Sequence, residues 1–194
     1  MLMNYLRIGI TYFIISIPIA VICILIYNFI NSLITKKNNV IGFKFMCQAA
    51  WLAIIISILG ITGIFNTNYD TTFILDGNTL CNLKVFEDGV TPATVLNIIL
   101  FIPYGFLSTI LFKNIRTKMV YGILIGFAFS VGIEFIQIFT GRFVELEDIL
   151  MNTLGTYIGY SLCIVVVKFK NKKSCKTLGN SNRNQVNISI VFEI

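Results

Sequence analysis

The chain has 194 residues, of which 56% are hydrophobic and only 12% charged, with a formal net charge of +6 and a mean hydropathy of +0.84. A soluble domain carries about twice that share of charged residues, so this chain cannot clothe a folded surface in polar groups, and its hydrophobicity also excludes intrinsic disorder. It contains no histidine, which excludes Ser-His-Asp and Cys-His nucleophiles and any His-ligated metal.

A hydrocarbon core of about 30 Å needs roughly 20 mostly apolar residues per helical span. Residues 8–35 are free of charge and form the first such stretch. Its apolar run is too long for a signal-peptide core and no A-x-A site follows, so it is expected to remain as an anchor. Residues 45–69 form the second stretch and 90–112 the third. Pro103, with Gly105 beside it, predicts a kink in that third span that frees the carbonyl of Ile99. Residues 119–141 form the fourth stretch, interrupted by Glu134, and 149–167 the fifth, with Asn152 as its strongly polar residue. The expectation is an all-α polytopic membrane protein with five transmembrane helices. Residues 1–72 would hold the first two and the start of a loop, 73–167 the other three, and 168–194 a basic tail, irregular at its start. Within the long loop Asp76-Gly77-Asn78 is a turn signal. Residues 186–194 alternate enough to suggest a strand, to which no role is assigned.

Charge sets the expected orientation through the positive-inside rule. Lys36, Lys37 and Lys44 occupy the first loop, Lys113, Arg116 and Lys118 the third, and Lys168, Lys170, Lys172, Lys173, Lys176 and Arg183 the tail. The second loop holds Asp70, Asp76, Glu87 and Asp88 against Lys84, and the fourth holds Arg142, Glu145, Glu147 and Asp148. The N-terminus is therefore expected outside and the C-terminus inside, Arg7 dissenting. The net positive charge is a topology signal, and nucleic-acid binding is not needed to explain it. Of the five cysteines, Cys23, Cys47 and Cys163 fall in spans, Cys81 outside and Cys175 in the tail, with no C-x-x-C. No disulfide, zinc site, other metal or cofactor is expected.

The informative residues are those that a lipid solvent should exclude. Gly122, Gly126, Ser130 and Glu134 recur every four residues, and Gln137 continues that face. On the fifth helix Asp148, Asn152, Gly155 and Gly159 again share one face. Small residues at such spacing let backbones approach closely, so helices four and five are expected to pack along these stripes. A rise of about 1.5 Å per residue places Glu134 roughly 10 Å, and Asn97 and Asn152 about 7–8 Å, below the outer surface. Asn97, Glu134, Gln137 and Asn152 then share the outer half of the membrane, with Arg142, Glu145 and Asp148 above them. As plain interhelical hydrogen bonds such amides are worth ~0.6 kcal/mol each. An acid at the depth of Glu134 costs a few kcal/mol, and it tips the reading from structural glue to a functional polar cluster.

These residues resemble the VanZ-like family, whose founding member confers teicoplanin resistance in Gram-positive bacteria. The resemblance rests on Asn97 followed by Phe101-Ile102-Pro103-Tyr104-Gly105-Phe106, on Ser130, Glu134 and Gln137, and on Arg142, Asp148, Asn152, Thr153 and Gly155 in order. It covers residues 80–165. Two positions depart from the family pattern: Glu145 stands where the family usually has Asp, and Asn82-Leu83-Lys84-Val85-Phe86 lacks the family's proline.

What the resemblance implies is an integral protein of the cell membrane, associated in some members with reduced susceptibility to teicoplanin-type lipoglycopeptides. The cluster of Asn97, Glu134, Gln137, Arg142, Asp148 and Asn152 would bind the drug or a lipid-linked cell-wall precursor, with membrane lipids around it. Two alternatives stay open. An intramembrane enzyme would use Glu134 as acid or base and Arg142 as an anion holder, yet no nucleophile is visible. A small transporter would need a homo-oligomer formed through the glycine faces, and no inverted repeat is seen.

Overall fold

The computed structural model describes residues 2–35, 42–65, 81–82, 84–87, 89–139 and 144–178. Within them lie helices α1 (Leu2–Thr35), α2 (Phe43–Ile61), α3 (Pro92–Leu111), α4 (Lys113–Thr117), α5 (Met119–Ile138) and α6 (Leu146–Leu178). Two short strands, β1 (Cys81–Asn82) and β2 (Val144–Glu145), pair in parallel. All the helices except α4 are long and apolar enough to cross a membrane, so the protein is an all-α, multi-pass membrane protein. Alternate crossings gather the end of α1, the start of α2, α4 and the end of α6 at one face of the bundle, called here the basic face. The strands and the starts of α3 and α6 lie at the opposite, acidic face. Asp76-Gly77-Asn78, Arg142 and residues 186–194 lie outside the described residues.

Local chemistry sets the helix ends. The charge-free run after residue 45 suggests a longer helix than α2, which stops at Ile61. Gly63, at φ 84°, adopts the left-handed conformation that ends helices, donating to the Gly60 carbonyl while Ile64 N–H reaches Leu59. That is the double hydrogen-bond signature of a glycine C-cap with an apolar clasp, and Ile64 and Leu59 pack in the same cluster. At the start of α3, Thr91 caps the helix in a reciprocal box with Thr94, and Pro92 occupies the first turn, where its missing N–H costs nothing. The tail's start, expected to be irregular, is helical: α6 runs on to Leu178. No glycine or proline lies between Gly159 and Gly179, and lysine is a good helix former.

Phe112 is extended and separates α3 from the short α4. Arg116 in α4 folds back, its Nη2 donating to the Ile110 carbonyl at 2.7 Å and its Nε to Thr109 at 3.4 Å. It thus satisfies carbonyls at the end of α3 that have no helical partner. Burial pulls the guanidinium below its ordinary pKa, with the nearby Cys163 acting in the opposite direction.

Packing places α3 between α2 and α6, with α1 outside α2 and α5 against α6. The α1–α2 seam is built from small residues: Ser16 and Ala20 on one side, Ala49, Ala53 and Ser57 on the other, all buried. The Ser16 and Ser57 hydroxyls meet at 2.8 Å. Between α2, α3 and α5 the core is aromatic and aliphatic, with Ile58, Phe101, Tyr104 and Ile133 buried together. Tyr104 stacks on Phe129 with ring centroids 4.8 Å apart.

Candidate functional site

Helix α6 meets its neighbours through glycine, but not only where the stripes suggested. A Cβ on Gly155 or Gly159 would fall on the backbone carbonyl of Ile98 or Ile102, and one on Gly105 would fall on that of Thr156. Gly155 and Gly159 therefore face α3, not α5. The α5 side of the contact is made by Gly126, whose added Cβ would lie 2.6 Å from the Thr156 side chain, and by Gly122, 3.0 Å from the Tyr160 ring. The reason is geometric: α6 lies in the angle between two helices, so its small residues serve one neighbour while its Thr and Tyr fill the space left by the glycines of the other.

This close approach brings the polar residues of α3, α5 and α6 together at the acidic face. Asn97 Nδ2 donates to Asp148 Oδ1 at 2.5 Å. Glu134 is only 3% exposed, and its Oε2 accepts the backbone N–H of Glu145 at 3.0 Å. Glu134 thus holds β2 down over the end of α5. Asn152 Nδ2 donates to Ser130 Oγ at 2.8 Å, and both residues are buried. The same side chain carries an anomaly: Asn152 Oδ1 is buried without a hydrogen-bond partner among the described residues. A buried polar atom left unsatisfied is rare and costs about 1–3 kcal/mol.

Asn97–Asp148, Glu134–Glu145 and Asn152–Ser130 form bonded pairs on neighbouring turns. Gln137 turns towards α2, its Nε2 donating to the Thr62 carbonyl at 3.0 Å. Arg142, expected above the cluster, lies outside the described residues.

Two participants were not singled out in the sequence. Glu147 accepts from Thr94 Oγ1 at 2.6 Å with one oxygen and from the Phe86 N–H at 3.0 Å with the other. It locks the loop before α3 onto the first turn of α6. Phe86 has φ 58°, a left-handed conformation that bulky residues seldom adopt. Glu147 reads in sequence as one more topology charge, and no spacing in the sequence points to Thr94 as its partner.

Glu134, Glu145, Glu147 and Asp148 thus stand within a few turns of one another. Glu145 is exposed and Glu147 and Asp148 are half-buried, with Glu134 buried beneath them, so this face offers carboxylate acceptors that suit a ligand presenting hydroxyl, amide or ammonium donors. Among the described residues no three His, Cys, Asp or Glu side chains gather in a way that would hold a metal ion. The Pro103 position contributes nothing here: Ile99 and Pro103 are both exposed on the outward face of α3, which continues through them.

In comparison with known proteins, the model of one family, VanZ/LLP1, matches residues 13–167. The match takes in the first two spans as well as the three that carry the polar residues. No curated protein and no solved structure matches the chain.

Proposed function

The chain belongs to the VanZ/LLP1 family, and from that premise we propose that it lowers susceptibility to teicoplanin-type lipoglycopeptides by binding them, or a lipid-linked cell-wall precursor, at the acidic face. In this reading the acidic face is the outer one, as the distribution of lysine predicts, and the protein resides in the cell membrane.

The observation that carries the proposal is the gathering of Glu134, Glu145, Glu147 and Asp148 around the junction of α3, α5 and α6. A lipoglycopeptide matches such a place in two ways. Its sugar and peptide parts offer hydroxyl, amide and ammonium donors to the carboxylates, and its acyl chain can enter the bilayer beside the helices. A glycopeptide without an acyl chain gains only the first of these, and so should be affected less.

The test is the inhibitory concentration of teicoplanin, beside vancomycin, for a susceptible Gram-positive host expressing the chain or its Glu134→Gln variant at matched levels. Glutamine still offers an oxygen to the Glu145 N–H, so the substitution removes the acid without removing the hydrogen bond. A rise for teicoplanin that the variant abolishes is the expected result. No rise from the parent chain at confirmed membrane expression overturns the proposal.

A further inference from the structure

At the basic face, at the other end of the bundle from the acidic cluster, α1, α2 and the end of α3 frame a groove. It has a volume of about 230 Å³ and is lined by Ile24 and Tyr27 of α1, Lys44, Gln48, Trp51 and Leu52 of α2, and Leu111 and Phe112 at the end of α3. We propose that this groove is a binding site for an anionic glycerophospholipid, with the headgroup phosphate at Lys44 and an acyl chain along Trp51 and Leu52.

The lining changes character with depth in the way a phospholipid does. Lys44 sits in the first turn of α2, exposed and with no ion-pair or hydrogen-bond partner among the described residues. Gln48 is one turn deeper, roughly 6 Å by helical rise, and its amide also has no partner among the described residues. That is the level at which a lipid offers its glycerol and ester oxygens. Leu52 and Ile24 lie below, where only apolar surface is presented. Tyr27 and Trp51 flank the groove as interfacial aromatics do. The Trp51 indole N–H is already committed to Ser108 Oγ at 2.8 Å, so its ring offers the ligand an apolar face. Charge is complementary as well. The described residues at this end, 42–44 and 112–118, contain Lys44, Lys113, Arg116 and Lys118 and no aspartate or glutamate. Basic pockets between helices at such a surface attract anionic headgroups.

Trp51 is the chain's single tryptophan, and it lines the groove, so its fluorescence reports occupancy directly. The full chain is reconstituted in phosphatidylcholine vesicles containing a minor fraction of phosphatidylglycerol or phosphatidylcholine with brominated acyl chains, which quench at contact. We expect Trp51 to be quenched by the brominated phosphatidylglycerol with an apparent affinity roughly fivefold higher than by the phosphatidylcholine, the effect of one lysine close to a charged headgroup. Lys44→Gln should bring the two lipids to equality, and Lys113→Gln, on the same face but outside the groove, should preserve the difference. Equal quenching by both lipids in the parent chain overturns the proposal, as does no quenching by either, or a preference that survives Lys44→Gln. None of these outcomes bears on the acidic face, whose test reads drug susceptibility.

Discussion

Asn97 Nδ2 donates to Asp148 Oδ1 at 2.5 Å across 51 residues of sequence, joining α3 to the first turn of α6. Asp148 is also one of two acids in that first turn, where a negative charge is favoured by the helix dipole. Replacing Asn97 by Leu removes one donor to a half-buried carboxylate while keeping the side-chain volume. Hydrogen bonds to charged groups are worth about 1.5–3 kcal/mol in water-soluble proteins, and interhelical ones in membranes average ~0.6 kcal/mol. A loss of about 1 kcal/mol is therefore expected for Asn97→Leu, measured by reversible unfolding in mixed micelles with Trp51 fluorescence. Asp148→Asn should cost less, because an amide oxygen still accepts. Unchanged stability in Asn97→Leu would mean that this short contact adds nothing to the fold.

The glycines of the bundle should rank by what an added methyl would strike. Gly155→Ala and Gly159→Ala drive a Cβ into backbone carbonyls of α3, which cannot move without shifting a helix. Overpacking of this kind costs about 1–3 kcal/mol and occasionally more. Gly122→Ala meets the Tyr160 side chain, nearest at a ring carbon 3.0 Å away, which need give by only a few tenths of an ångström, and Gly132→Ala meets nothing within 4 Å. Gly132→Ala should be neutral or stabilising by up to about 1 kcal/mol, since alanine is the better helix former. The same unfolding measurement orders the four variants. A Gly132→Ala chain less stable than Gly159→Ala would contradict the close α3–α6 approach.

These two cases show what the sequence could and could not reveal. Spans are legible because a membrane demands length and apolarity, and each apolar stretch contains the greater part of a helix or lies within one. Face is legible too, since the four-residue spacing of Gly122, Gly126, Ser130 and Glu134 puts all of them on the buried side of α5. The partner of a face is not legible. Gly155-x-x-x-Gly159 announces a close neighbour without saying which, and the answer depends on how α6 sits between α3 and α5. The small residues Ser16, Ala20, Ala53 and Ser57 escaped notice for a related reason: neither Ser nor Ala stands out in an apolar run until a second helix is brought against it. Glu147 was hidden because its partners, Thr94 and Phe86, lie 53 and 61 residues away.

Glu147 holds a strained loop. Its carboxylate accepts the N–H of Phe86, whose left-handed backbone at φ 58° costs roughly 1–2 kcal/mol relative to the ordinary regions. Replacing Glu147 by Ala removes the acceptor and leaves the strain, so Phe86 should relax and the loop should loosen from α6. Hydrogen–deuterium exchange read by mass spectrometry should show faster exchange at Phe86 and Gly89, whose N–H donates to the Phe86 carbonyl, with α2 unchanged. Phe86→Gly in the parent chain should leave exchange there slow, because glycine adopts this conformation without the steric cost. Unaltered exchange in Glu147→Ala would show that the strand pair, and not the carboxylate, holds the loop.

Asn152 allows stability and function to be pulled apart. Its Nδ2 reaches Ser130, but its Oδ1 is buried with no partner among the described residues, a state that costs the fold about 1–3 kcal/mol. Removing one member of the pair leaves the other polar and buried, so Ser130→Ala alone should destabilise. Removing both is different, since replacing two hydrogen-bonded groups by apolar ones of similar shape is nearly neutral or stabilising. The double variant Ser130→Ala with Asn152→Leu deletes the orphaned oxygen as well as the bond, and it should unfold no more easily than the parent. If the oxygen is kept for a donor that arrives with a ligand, the same double variant should lose any protection against teicoplanin while expressing normally. A double variant destabilised by 2 kcal/mol or more would assign Asn152 to the architecture of the bundle. One that is stable and still protective would free the acidic face of any need for it.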